Sequence, residues 1–197
     1  MRIAGFVGVA SLAVAAVTLA SFLSGASGQS QTAPVSQEAT LPVDAAGNLH
    51  VPSDYQVAYE YLGSWAVADD SSHPNGSKQL HEVYASPGTI AAFRKTGQFP
   101  DGTTLVKEVF ATATAPMTTG TVSRADQLQG WFVMVKDRKN DHPDNKLWGD
   151  GWGWSWFDAG KPLKTTSTDY KSDCQPCHVP AQSTDWIYSQ GYAPLRR

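Results

Sequence analysis

Thr103-Thr104-Leu105-Val106-Lys107-Glu108-Val109-Phe110 sets the pattern of this chain. β-Branched and apolar residues dominate it, and the turn formers Phe99-Pro100-Asp101-Gly102 stand just before it, so it reads as a strand. Strand alternation sends Leu105, Lys107 and Val109 to one face and Val106, Glu108 and Phe110 to the other. A lysine between two apolar neighbours on one face is a candidate for burial. Its ordinary alternative is a lysine that pairs with a carboxylate or snorkels to solvent.

The neighbouring segments extend the same reading. Upstream, Gln79 to Tyr84 reads as a strand, and a helix follows with Ser86 as N-cap, Pro87 at its first position and Gly97 at its end. A short helix is expected over Asp54 to Leu62, capped by Ser53, with Tyr55, Ala58, Tyr59 and Leu62 on one face. Downstream, Ala111 to Asp126 is a Thr/Ser/Gly-rich loop or hairpin and Leu128 to Lys136 is a strand. Asp137 to Asn145 is a charged loop, and Trp148 to Phe157 is a strand with Trp152, Trp154 and Trp156 on one side. The fold class is therefore α+β and β-rich: an antiparallel sheet of about four to six strands with a few short helices.

Near the end of the chain stands Cys174-Gln175-Pro176-Cys177-His178, and it holds the only two cysteines among 197 residues. A thioredoxin-like pair would sit early, inside a βαβ unit, and this chain has no such rhythm. A structural zinc site needs two further close ligands, and a plain disulfide needs no histidine. What remains is C-x-x-C-H, the attachment motif of a c-type haem. Cys174 and Cys177 then form thioethers to one porphyrin, and His178 is the axial ligand of its iron. The tryptophan row serves either as core packing or as haem contact.

The N-terminus fits that chemistry. Met1-Arg2 is a short positive start, Ile3 to Leu23 is an uncharged Ala/Val-rich run, and small residues from Ser24 to Gly28 follow. Residues 1–28 read as a cleaved signal peptide, residues 29–40 as a flexible leader and 41–197 as one haem domain. A retained membrane anchor is the alternative for the apolar run. The weakly hydrophobic composition and small-residue exit favour cleavage, with no stable membrane insertion and a periplasmic or secreted protein. Cleavage would remove Arg2 alone among the charged residues and move the formal charge from −3 to −4. No basic cluster exists, which argues against a nucleic-acid partner.

The other face of the iron decides the function. After His178 there is no Met, His or Lys, so any sixth ligand must come from upstream. Met117 and Met134 read as a loop residue and a core filler, and His50, His73 and His142 stand in polar, turn-like contexts. His81 differs in lying on a strand. An open distal face is the reading these residues favour, and an open iron binds small molecules.

Taken together, these pieces resemble the cytochrome P-460 family and its relatives, the cytochromes c′-beta. The resemblance runs from about Leu41 to Arg197. It rests on Tyr84-Ala85-Ser86-Pro87, Phe99 to Glu108, Val135-Lys136-Asp137, Trp148 to Trp154, Cys174 to His178, Thr184-Asp185-Trp186 and Gly191-Tyr192. It implies a mostly antiparallel β domain that encloses one five-coordinate haem c and forms a homodimer. Lys107 matches a lysine that cytochromes P-460 join covalently to a haem edge carbon. Those proteins oxidise hydroxylamine, whereas the c′-beta relatives bind nitric oxide without that chemistry. Burial favours the neutral, nucleophilic amine, so Lys107 suits the role.

Two departures bear on activity. Hydroxylamine-oxidising members carry a distal Arg and Glu; His81 stands at the first position and Phe132 at the second. An aromatic ring accepts no proton, so Phe132 implies a dry cap over the iron. His81 donates a hydrogen bond or relays protons near neutral pH, or is structural. The expected function is an exported monohaem c cytochrome that binds or oxidises hydroxylamine and NO and passes electrons to a partner such as a small cytochrome. The alternatives are a non-catalytic NO binder and an electron carrier with Met134 or Met117 on the iron.

Overall fold

The computed structural model describes residues 41–68 and 76–196, so the segments 1–28 and 29–40 and His73 lie outside the described residues. The alternating segment at Leu105 belongs to a strand that runs longer than its apolar core, Thr104–Met117. In chain order the strands are β1 (Glu60–Ala68), β2 (Ser77–Ala85), β3 (Thr104–Met117), β4 (Gly120–Lys136), β5 (Trp148–Gly149) and β6 (Trp152–Asp158). They form one open antiparallel sheet in the order β1-β2-β3-β4-β6-β5. Among the described residues, four one- and two-turn α-helices, α1 (Tyr55–Ala58), α2 (Thr89–Thr96), α3 (Tyr170–Asp173) and α4 (Gln175–His178), and three short 3-10 helices (Val179–Thr184, Ser189–Gly191 and Ala193–Leu195) complete it. The β-rich α+β reading holds.

Alternation splits the sheet into two buried faces. Val106, Val133, Val135 and Phe157 pack with Leu49, Val51 and Tyr55 from the segment ahead of β1. Leu105, Met134, Trp152 and Trp154 pack on the other side with Trp186, Ile187, Tyr192 and Leu195 from the chain's end. Glu108, on the first face, is 1% exposed and accepts hydrogen bonds from Tyr55 and, at 2.7 Å, from Gln56. Tyr55 in turn accepts from the Trp131 indole at 2.9 Å. A buried carboxylate needs such donors, and this one anchors the N-terminal cover to the sheet.

Four local expectations change. The helix expected over Asp54–Leu62 stops after one turn, because Tyr59 is extended and Glu60 pairs with Ala85 as an edge strand. Tertiary pairing thus overrides helical spacing. Its N-cap is Asp54, whose side chain makes no capping bond. At α2 the N-cap is Gly88, left-handed at φ 82°, rather than Ser86. Ser86 Oγ instead accepts from Thr104 N at 3.0 Å and meets Thr89 Oγ1 at 3.2 Å, which ties the helix entry to β3. Gly97 ends the helix at φ 77°, as expected. Of the two readings of Ala111 to Asp126, loop or hairpin, the hairpin holds, with partners running to Met117 opposite Gly120. The Trp148–Phe157 strand breaks at Asp150 and Gly151, both at positive φ (54° and 79°), which is the two-residue hairpin turn that strand twist favours.

Candidate functional site

One sheet face and the chain's last thirty residues stand across a cavity of about 640 Å³. That lies within the roughly 300–1,000 Å³ usual for small-molecule sites. Strand register builds its sheet wall in rows. Val83, Lys107, Phe132 and Trp156 are successive partners across β2, β3, β4 and β6. A neighbouring row runs Trp65, His81, Val109, and a third runs Leu105, Met134, Trp154. Opposite them, the cavity is lined by Cys174, Cys177, His178, Ile187, Tyr188 and Tyr192. All six residues singled out from sequence, His81, Lys107, Phe132, Cys174, Cys177 and His178, therefore meet in one place.

Lys107 is central on that wall. Its Nζ lies 4.3 Å from the Phe132 ring centroid, and the Phe132 and Trp156 rings are 4.6 Å apart. Burial lowers the Lys107 pKa, and only the nearby cysteines, as thiolates, would oppose this. A thioether sulfur carries no charge, so haem attachment would remove that support. No ion pair among the described residues includes Lys107.

The His178 ring is already oriented. Its Nδ1 lies 2.7 Å from the Trp186 carbonyl, which can only accept, so Nδ1 carries the proton and Nε2 keeps its lone pair. Burial lowers its pKa against the opposing pull of that hydrogen bond. The Trp154 ring meets it edge-on at 5.1 Å and 82°. α4 sets Cys174 and Cys177 one turn apart, the first buried and the second exposed, both as free thiols. Burial pushes the Cys174 thiol up to about 11.

His81 lies 3.3 Å, through Nε2, from Gln79 Oε1. Burial first, and the Lys107 charge second, push it down to about 4. With that shift it is an uncharged imidazole at neutral pH, which suits the hydrogen-bonding role among those expected of it. The unfolded chain, with His81 near 6.5, binds this proton first, so stability falls as pH drops from about 6.5 to about 4 and the loss levels off below. Denaturant midpoints of wild type should therefore decline more steeply across that window than those of His81→Gln. Equal slopes would contradict the buried, neutral imidazole.

Other candidates from sequence separate cleanly. Met117 sits at the hairpin tip, 62% exposed and away from the cavity. His50 faces Asp44 at 4.0 Å and His142 stacks on Trp148 at 4.2 Å, neither of them a lining residue. Met134 does line the cavity and is buried. Sequence reasoning missed Asp173, a lining carboxylate held at about 2 by hydrogen bonds from Thr168 N, Ser172 Oγ and Asp169 N. It also missed the Trp186 carbonyl, because no side chain announces a backbone acceptor.

These residues fit a haem c. Two thiols at the required spacing, an imidazole with a free Nε2 and an apolar wall of suitable size border the same space. The Cytochrome P460 family model matches residues 53–189, a span that holds the whole sheet and the Cys174–His178 motif. No curated protein matches the chain significantly. With most of its length matched, this chain belongs to the cytochrome P460 family and is a haem c protein of that kind.

Proposed function

We propose that the cavity holds a single haem c through Cys174, Cys177 and the Nε2 of His178, and that the protein binds and oxidises small nitrogen species such as hydroxylamine. The observation that carries this reading is Lys107, which lines the same cavity as the cysteines and His178 and lacks a carboxylate partner among the described residues. Bound, the haem supplies an iron that takes a small ligand and accepts electrons for a redox partner such as a small cytochrome. Lys107, kept toward its neutral form, is the residue for a further covalent bond to the haem edge, in which an N–C bond replaces one amine N–H and one haem C–H and an external two-electron oxidant such as a peroxide takes up the two electrons and two protons. Phe132 and Trp156 exclude water from the face they share, and the neutral His81 offers a hydrogen bond there. The apolar run at residues 3–23 supports an exported protein, and the family resemblance supports a homodimer.

One observation favours a second reading, NO binding without turnover. Hydroxylamine oxidation releases protons, and no lining carboxylate is a good acceptor for them: Phe132 stands where a carboxylate is expected and has no lone pair to offer, and hydrogen bonds hold Asp173 near 2. Steady-state assays with hydroxylamine and an artificial oxidant, run beside NO titrations, separate the two. Phe132→Glu puts a carboxylate beside Lys107 and should raise turnover by about 10²- to 10⁴-fold, the usual contribution of a placed base. If both proteins bind NO and neither turns over, the oxidase reading falls and the NO binder remains. A six-coordinate resting spectrum that resists NO would remove both and point to Met134 as sixth ligand.

A further inference from the structure

Asp185 and Trp186 are consecutive non-glycine residues in the left-handed region, at φ 58° and 67°. Aspartate visits that region more readily than most L-residues, but a bulky tryptophan there is an outlier that its surroundings must hold. Here the sheet imposes it. Lys136 and Trp152 are cross-strand partners at the end of β4 and β6. Lys136, 7% exposed, donates from Nζ to Asp185 Oδ1 at 2.7 Å. The Trp152 indole donates to the Asp185 carbonyl at 3.0 Å and reaches its Oδ1 at 3.3 Å. Trp186 N donates to Ala181 O at 2.9 Å. The turn so gripped carries the carbonyl that accepts from His178 Nδ1 at 2.7 Å.

We propose that Lys136 and Asp185 are positioning residues for His178. The pair, with Lys136 buried and Asp185 partly exposed, holds the turn so that the Trp186 carbonyl keeps its hydrogen bond to Nδ1–H, which fixes the ring and strengthens its electron donation through Nε2. This rests on His178 as the axial ligand. It also separates two lysines of the sheet: Lys107 faces the cavity, whereas Lys136 is committed to a carboxylate. An ion pair that merely stabilised the turn would alter stability and leave the iron ligand untouched.

The test compares Lys136→Met and Asp185→Asn holoproteins with wild type by haem reduction potential, ferrous iron–imidazole stretching frequency and thermal unfolding. Lys136→Met keeps length and apolar bulk but removes the grip. Its potential should rise and its stretching frequency fall. Asparagine tolerates left-handed backbone and retains an Oδ1 acceptor, so Asp185→Asn should stay close to wild type in both. A Lys136→Met protein that is less stable yet unchanged in potential and stretching frequency overturns the positioning role. If that variant yields no holoprotein, Asp185→Ala is read the same way, with the same shifts expected and unchanged signals overturning the proposal. A wild-type ferrous protein without an iron–imidazole band would instead overturn the His178 assignment itself.

Discussion

Alanine at both Cys174 and Cys177 is expected to abolish haem that survives denaturation, where wild type retains it. The expectation follows from the site's build. α4 spaces the two thiols by one turn along the cavity wall, with no disulfide between them, and they are the only sulfur nucleophiles of cysteine type in the chain. Lys107 belongs to the opposite wall, near the start of β3. A bond from Lys107 alone requires a haem already held against the sheet, and the thioethers are what would hold it. Loss should therefore be complete rather than partial. A haem-stained denaturing gel reads the result, and wild-type haem retention in the double variant would contradict the attachment proposed.

The second large effect is on stability. Trp154→Ala should destabilise the protein by about 3–5 kcal/mol, the usual range for truncating a buried large aromatic. Trp154 is 1% exposed and stands where the sheet meets the C-terminal cover. Its ring contacts Tyr170, His178 and Trp186, and its indole donates to Gly149 O at 3.0 Å. Truncation removes that packing and orphans the carbonyl. For a domain of this size the melting temperature should fall by roughly 10 °C. Calorimetry on the two holoproteins measures it, and midpoints within a degree or two would mean the tryptophan row is not the joint between sheet and cover.

How much of this was legible beforehand depends on the range of the interaction involved. Alternation in residues 103–110 is local, and it correctly put Leu105, Lys107 and Val109 on one face and Glu108 on the other. The Cys174–His178 motif is also local. What spacing could not supply was register: that Lys107 stands beside Phe132, and His81 one row away, follows from pairings across dozens of residues. The Tyr55 to Leu62 segment misled because its apolar spacing suits a helix, while β2 offered an open edge whose hydrogen bonds Glu60 to Ala68 satisfy. The Asp150-Gly151 break was readable in principle, since Asp-Gly is a strong hairpin signal. The left-handed Asp185-Trp186 turn was not. Asp tolerates that conformation in many turns and Trp rarely adopts it, and the side chains that grip the turn, Lys136 and Trp152, come from distant sequence.

The measurement that tests the central claim most directly is peptide mass spectrometry of proteolysed holoprotein. The account predicts one haem on the peptide carrying Cys174 and Cys177, bridged to the peptide that contains Lys107. Haem on the cysteine peptide alone would remove the Lys107 bond and leave the NO-binding reading. Haem on neither peptide would contradict the site itself.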